Sequence, residues 1–171
     1  MNHAPIEADD LDGLVREHLP AALRFAIRLT GRTDTAEDIV QETLLRVARK
    51  HRTFRGDSRF RTWLFQIIIN VFRDQPKRRR EQHLSPETAP SIPDGSATSL
   101  LANELRERIA QHVSRLPPRQ REVIVLTVYE ELSIAETARL LQTSEQNVHA
   151  TLHVARSRLR EELSDLMIEK S

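Results

Sequence analysis

Between positions 54 and 65 the chain reads Phe-Arg-Gly-Asp-Ser-Arg-Phe-Arg-Thr-Trp-Leu-Phe. These residue types suit a single strand of nucleic acid. Arg55, Arg59 and Arg61 can hold phosphates, Asp57, Ser58 and backbone groups near Gly56 can bond a base edge, and the aromatic wall that includes Phe60 favours stacking. Packing is the simpler role for Trp63. A second set lies near the other end, where Gln146, Asn147, His149, Ala150, His153 and Ser157 share or flank one side of a helix. In a major groove, Gln and Asn pair with adenine edges and Ala150 can meet a thymine methyl. His149 and His153 also have the i, i+4 spacing of two metal ligands. The zincin glutamate is absent and no third ligand is near, so neither metal nor cofactor is expected. No Ser/His/Asp order, phosphate loop or dinucleotide fingerprint is present, so no catalytic residue is expected. The pairs Glu130-Glu131 and Glu161-Glu162 read as solvated helix charges.

The elements that must position these residues are helices. Leu11, Leu14, Val15 and His18 mark a short first helix, and Pro20 suits the first turn of a second that ends near Gly31. A third runs from about Asp34 to Lys50, with Ala36, Ile39, Val40, Thr43, Leu44 and Val47 on one stripe. Its opposite face carries Asp38, Gln41, Glu42, Leu45 and Arg49, a leucine among acids that a merely solvated face does not need. Ser58 can cap a fourth helix reaching Gln75. Phe60, Leu64, Ile67, Ile68 and Val71 are its core stripe, Phe65, Ile69 and Phe72 a second apolar side, and Thr62, Gln66, Asn70 and Arg73 its polar strip. Pro76 ends it before Lys77-Arg78-Arg79-Arg80. Residues 82–99, with three prolines and one Asp-Gly, read as a flexible linker.

Beyond the linker a helix is expected over Leu101 to Arg115, with Leu105, Ile109, His112 and Val113 inward. Pro118 starts another that reaches about Tyr129. Ser133-Ile-Ala-Glu136 is a capping-box pattern opening a helix to Leu141. Ser144 can cap a last helix through about Met167. A short helix, a tight turn and a longer helix make a helix-turn-helix, with Ala138, Leu141, Val148, Leu152, Ala155 and Leu159 as its seam. The fold class is therefore all-α, two small helical domains over residues 1–81 and 100–171.

Composition agrees. With 39% hydrophobic residues, 4% aromatics and four glycines in 171 residues, helices fit better than sheets. The absence of cysteine excludes disulfides and zinc-thiolate sites, and an intracellular, cytoplasmic protein is the simplest reading. No apolar run approaches a membrane span, and the acidic N-terminus has no signal-peptide pattern. The net charge of +1 hides a gradient: residues 1–80 hold 16 Lys/Arg and 11 Asp/Glu, whereas residues 100–171 hold 10 and 11. Phosphate attraction should be stronger in the first half.

The motifs, in this order, resemble the sigma-70 family of bacterial RNA polymerase sigma factors, of the extracytoplasmic-function type. Leu116-Pro-Pro-Arg-Gln-Arg-Glu-Val123, Leu132-Ser-Ile-Ala-Glu-Thr-Ala138 and Ala155-Arg-Ser-Arg-Leu-Arg-Glu-Glu-Leu163 are similar to the sigma-4 domain, and Asp34 to Val47 with Phe54 to Phe65 are similar to sigma-2. The resemblance implies that Asp38, Gln41, Glu42 and Leu45 dock on core RNA polymerase. It implies that Arg55, Gly56, Asp57, Ser58, Arg59, Phe60, Arg61, Asn70 and Arg73 read and melt the minus-ten element. Arg119, Arg121, Ser144, Gln146, Asn147, His149, Ala150 and His153 would serve the minus-thirty-five element. Core polymerase and promoter DNA are then the partners, with no membrane insertion, and family members are often held off by an anti-sigma factor. The chain departs from the family pattern at Gln142, where the turn normally has glycine, and at His149, Thr151 and Val154, customarily basic. The alternative is a stand-alone helix-turn-helix regulator, which leaves the first domain unexplained.

Overall fold

The computed structural model describes residues 8–51, 54, 59–75 and 100–168, and among them there are helices and no strand. Three helices form the first domain: α1 (Ala8–Thr30), α2 (Thr33–Lys50) and α3 (Phe60–Asp74). The second contains α4 (Leu100–Arg115), α5 (Pro118–Ile124) running into a π-helical turn (Val125–Tyr129), α6 (Ile134–Leu141) and α7 (Glu145–Ile168). The linker, the basic tract after Pro76 and four of the expected minus-ten residues, Arg55, Gly56, Asp57 and Ser58, lie outside the described residues.

One helix, α1, stands where two were expected, with Pro20 inside it. Proline removes one helical hydrogen bond and crowds the carbonyl four residues back, at a cost of about 3 kcal/mol. Both Pro20 and Arg16, whose carbonyl is affected, are exposed, so water can take the freed group. The apolar stripe passes through the proline without changing phase. Leu11, Leu14 and Val15 are partly buried, and Ala22, Phe25, Ala26 and Leu29 are fully buried. Burying a side chain the size of Phe25 or Leu29 is worth about 1.5–3 kcal/mol each, enough to offset the proline.

The helix α2 buries Ala36, Ile39, Val40, Thr43 and Val47, the expected stripe. Both apolar sides of α3 are buried, from Phe60 and Leu64 through Phe65, Ile69 and Phe72. Phe65 stacks on Phe25 of α1 at a centroid distance of 4.2 Å. The residue before α3 is Arg59, extended and without a side-chain cap, in place of the expected Ser58.

In the second domain the helix that begins at Pro118 does reach Tyr129, but its end widens into a π turn. Glu130 N–H reaches the Val125 carbonyl at 3.0 Å and Leu132 N–H the Leu126 carbonyl at 3.0 Å. Glu131 closes the turn at φ 54°. The capping box is formed: Glu136 N–H donates to Ser133 Oγ at 3.2 Å, and Ser133 N–H donates to Glu136 Oε2 at 2.9 Å. At the other end of α6, Thr143 N–H donates to the Ala138 carbonyl (3.0 Å) and Gln142 N–H to that of Arg139 (3.3 Å), a Schellman closure around left-handed Gln142. Asn147 N–H donates to Ser144 Oγ at 3.1 Å, so Ser144 opens α7 as expected. The helix-turn-helix seam is buried at Ala138, Leu141, Val148, Leu152 and Ala155, with Leu159 partly so.

The two domains are packed together. Gly31, at φ 73° just past α1, sits so close to α4 that a Cβ there would meet Ser114 Cβ at 2.8 Å. Arg28 and Arg61 both pair with Glu130, and Arg73 pairs with Glu122.

Candidate nucleic-acid interface

On α2 the buried stripe turns the opposite side outward. Asp38 and Gln41 are exposed, Glu42 is half-buried, and Leu45 is 53% exposed, an apolar side chain standing among polar ones. Glu42 accepts from Arg46 Nε at 2.8 Å, and Arg46 also reaches Asp74 of α3 at 2.8 Å. That bridge fixes α2 against the end of α3 and orients one of the acids on the face.

Around the loop after α2, Phe54, Phe60 and Trp63 form a three-ring cluster. Phe54 lies 5.8 Å from Phe60 and 5.2 Å from Trp63, and Phe60 lies 5.6 Å from Trp63. His18 of α1 abuts Phe60 edge-on at 5.4 Å. Phe60 is buried, and Trp63 is half-buried among the other two rings. Phe60 is therefore packed among these rings rather than open for a base to stack on. Arg59 and Asn70 are exposed. Arg59, Thr62, Trp63 and Gln66 line one wall of a cleft of about 320 Å³ whose other wall is Glu136, Arg139 and Leu140 of α6.

Arg61 and Arg73, the other described arginines expected to meet the minus-ten element, are engaged. Arg73 holds Glu122 through two parallel hydrogen bonds, Nε to Oε1 at 2.9 Å and Nη2 to Oε2 at 2.7 Å. Arg61 is bonded to Glu130 Oε2 and lies over the Phe65 ring at 5.1 Å. Glu130 also accepts from Arg28 at 2.9 Å, and Arg28 stacks over Tyr129 at 4.7 Å. The reading of Glu130 as a solvated charge is thus corrected: its side chain is 3% exposed between two arginines, while Glu131 beside it faces solvent. Glu161 is exposed as expected, and Glu162 is half-buried with Oε2 2.9 Å from His112 Nδ1.

On the second domain Ser144, just before α7, and Gln146, Asn147, His149, Ala150 and His153 along it are all exposed, and Ser157 is half-buried. Asn147 Nδ2 donates to Thr143 Oγ1 at 2.8 Å. The structure brings these residues onto one side of α7. Arg119 is exposed, 3.5 Å from Glu122. Arg121 is different: it is 1% exposed, and its guanidinium donates to the carbonyls of Leu29, in the last turn of α1, and of Leu116. Its charge serves the α1 C-terminus, where carbonyls lack helical partners. In this arrangement Arg121 has no access to a phosphate, which corrects its place among the DNA contacts.

Among the described residues no group of three His, Asp or Glu side chains could hold a metal ion, and no helix is long and apolar enough to cross a membrane. The residues missed by sequence reasoning are Arg28, Glu122 and Glu130. Their partners lie 49 to 102 positions away, so no local pattern marks them.

Comparison with known proteins places this geometry. The family model Sigma-70 region 2 matches residues 14–82 and Sigma-70 region 4 matches residues 106–159. The extracytoplasmic-function (ECF) RNA polymerase sigma factor SigL of Mycobacterium tuberculosis H37Rv is 34% identical over 171 residues, covering 98% of this chain and 96% of the relative. The sigma factor YlaC of Bacillus subtilis is 28% identical over 161 residues, covering 91% and 93%. Among solved structures, the sigma factor RpoE in complex with the anti-sigma factor NepR, from Bartonella quintana, superimposes with a TM-score of 0.75 at 27% identity, over 92% of this chain and 98% of that one. CnrH in complex with the cytosolic domain of CnrY gives 0.69 at 25% identity, over 95% and 92%. With both regions matched in order across two helical domains, the chain belongs to the sigma-70 family of RNA polymerase sigma factors, as a member of the extracytoplasmic-function type.

Proposed function

We propose that this sigma factor works entirely by binding: it docks on core RNA polymerase through α2, reads and opens the minus-ten element through α3 and the loop before it, and reads the minus-thirty-five element through α7. Asp38, Gln41, Glu42 and Leu45 are the core-docking residues. The observation that carries this reading is Leu45, held half in water on a helix whose other side is buried, with acids around it. An exposed apolar side chain in a charged rim is the pattern of an interface hot spot, and acids suit a basic partner helix. Arg55, Gly56, Asp57, Ser58, Arg59, Arg61, Asn70 and Arg73 handle the minus-ten strand, with Phe60 as support. Arg119, Ser144, Gln146, Asn147, His149, Ala150 and His153 serve the upstream element. The protein acts in the cytoplasm, where polymerase and promoter are, and is not itself a catalyst. An anti-sigma factor is a further partner, a reading supported by the NepR-bound Bartonella relative.

The test is run-off transcription with purified core polymerase. The chain should give a new start site, and Leu45→Arg with Asp38→Lys should abolish both that product and co-purification with core while the helical signal stays intact. Unchanged core binding by the double variant would exclude this face. A stand-alone helix-turn-helix regulator would give no new start site at all.

A further inference from the structure

Two acids at the edge of α2 and the end of α3 are held by one cation. Glu42 Oε1 accepts from Arg46 Nε at 2.8 Å, one turn along α2, and Arg46 Nη1 donates to Oδ2 of Asp74, the last residue of α3, at 2.8 Å. Arg46 is 28% exposed between them, whereas Asp74 stands at 61%. Glu42 belongs to the proposed docking face, and neither Arg46 nor Asp74 is among its residues. We propose that Arg46 is a positioning residue for core docking, and that Asp74, on a different helix from the docking face, acts on core affinity through it.

A Glu–Arg pair one turn apart on an exposed helix is weak, and by itself it would leave both side chains exchanging rotamers. The second acid changes this. A guanidinium is planar and its donors point in fixed directions, so an arginine held at Nη1 by α3 presents Nε to Glu42 at a set angle. Arg46 takes Oε1 of Glu42, and among the described residues no donor meets Oε2. A carboxylate with one oxygen fixed and the other open is ready for a cation of the partner. Ordering a long side chain is one of the costs of association, and a bond formed beforehand removes it.

Asp74 is also costly where it stands. It ends α3, where the helix carbonyls already carry partial negative charge and an acid is disfavoured. Arg46 brings a cation to that end and offsets the cost. The anchor is firm, because α3 is packed on both of its apolar sides.

Charge alone predicts the reverse effect on docking. A face of acids suits a basic partner, so removing a cation from it should tighten binding. Positioning predicts weaker binding, and the two effects differ in sign.

This role rests on the reading of Glu42 as a docking residue, so Glu42→Gln is measured beside the other variants. Full-length variants compete with a labelled wild-type chain for purified core polymerase. Arg46→Gln should weaken binding about fivefold, the ordering cost of one long side chain, and Asp74→Asn should weaken it by a smaller factor. In the Glu42→Gln background neither substitution should weaken binding further, because effects that pass through one contact do not add. In the Arg46→Gln background Asp74→Asn should likewise add nothing. Unchanged or tighter binding by Arg46→Gln overturns the proposal. So does a weakening that persists in the Glu42→Gln background, which would mark a general loss of the packing between α2 and α3. An Asp74 effect that survives without Arg46 overturns the relay, since Asp74 would then meet the polymerase itself. If Glu42→Gln alone leaves affinity unaltered, the docking assignment of Glu42 fails and the positioning role fails with it; that outcome is read with Arg46 and Asp74 intact, apart from the other three.

Discussion

Among the described residues, Glu131 and Gln142 adopt a left-handed backbone without being glycine, and each marks a local cost the chain accepts. Gln142, at φ 54°, closes α6 where only one backbone conformation makes the Schellman bonds to Ala138 and Arg139. A Cβ there costs about 1–2 kcal/mol, which glycine avoids at some loss of unfolded-state restriction. Gln142→Gly should therefore raise stability by about 1 kcal/mol, read as a higher urea midpoint with unchanged slope. No change would mean that the Gln142 side chain already compensates. Gly31 is the converse. Alanine there meets both a left-handed φ and the 2.8 Å contact with Ser114 Cβ. The two costs separate: Gly31→Ala should destabilise by at least about 1 kcal/mol, and adding Ser114→Gly should recover only part of the loss. Full recovery would assign the whole effect to the domain contact, and none would mean that α4 does not press on Gly31.

The helix-turn-helix depends on an element start that is unusually well specified. Ser133 and Glu136 bond reciprocally, and the Ser133 hydroxyl and backbone N–H hold the Glu136 carboxyl below the usual carboxylate range. A depressed folded pKa gives stability that is present above the ordinary carboxylate range and lost as pH falls through the folded value. Ser133→Ala should cost about 1 kcal/mol and reduce that acid sensitivity of α6, since the hydroxyl donor is lost while the backbone N–H remains. Hydrogen exchange of α6 amides between neutral and acid pH measures both; an unaltered acid response in the variant would place the sensitivity elsewhere. The bounds of α6 were legible because Ser133 and Glu136 carry their bond within four residues. Those of α1 were not, because proline is a local break whereas the stripe that overrides it runs from Leu11 to Leu29. The inward turn of Phe60 was also hidden: a helix start rich in aromatics looks alike whether the rings face a base or each other. Hidden for a further reason were Glu122 and Glu130, whose partners are set by how two domains meet.

At the scale of the whole molecule the charge is unevenly shared, and α7 shows where it is missing. Gln146, Asn147, His149, Ala150, His153 and Val154 are exposed, with Val154 at 49%, and cations resume only at Arg156, Arg158 and Arg160. Side chains of this kind choose bases; they add little of the phosphate attraction that supplies affinity. The second domain should then hold the upstream element mainly when polymerase tethers it there, effective concentration replacing intrinsic affinity. His149→Lys with Val154→Arg tests this, because both positions face outward. In a holoenzyme titration on duplex carrying only the upstream element, each new phosphate contact should steepen the slope of log K against log salt by about 0.9. The order of preference among upstream sequences should stay the same, since the added contacts are to backbone. A changed preference with an unchanged slope would mean that positions 149 and 154 lie over base edges, and that the phosphates are held by a different part of α7.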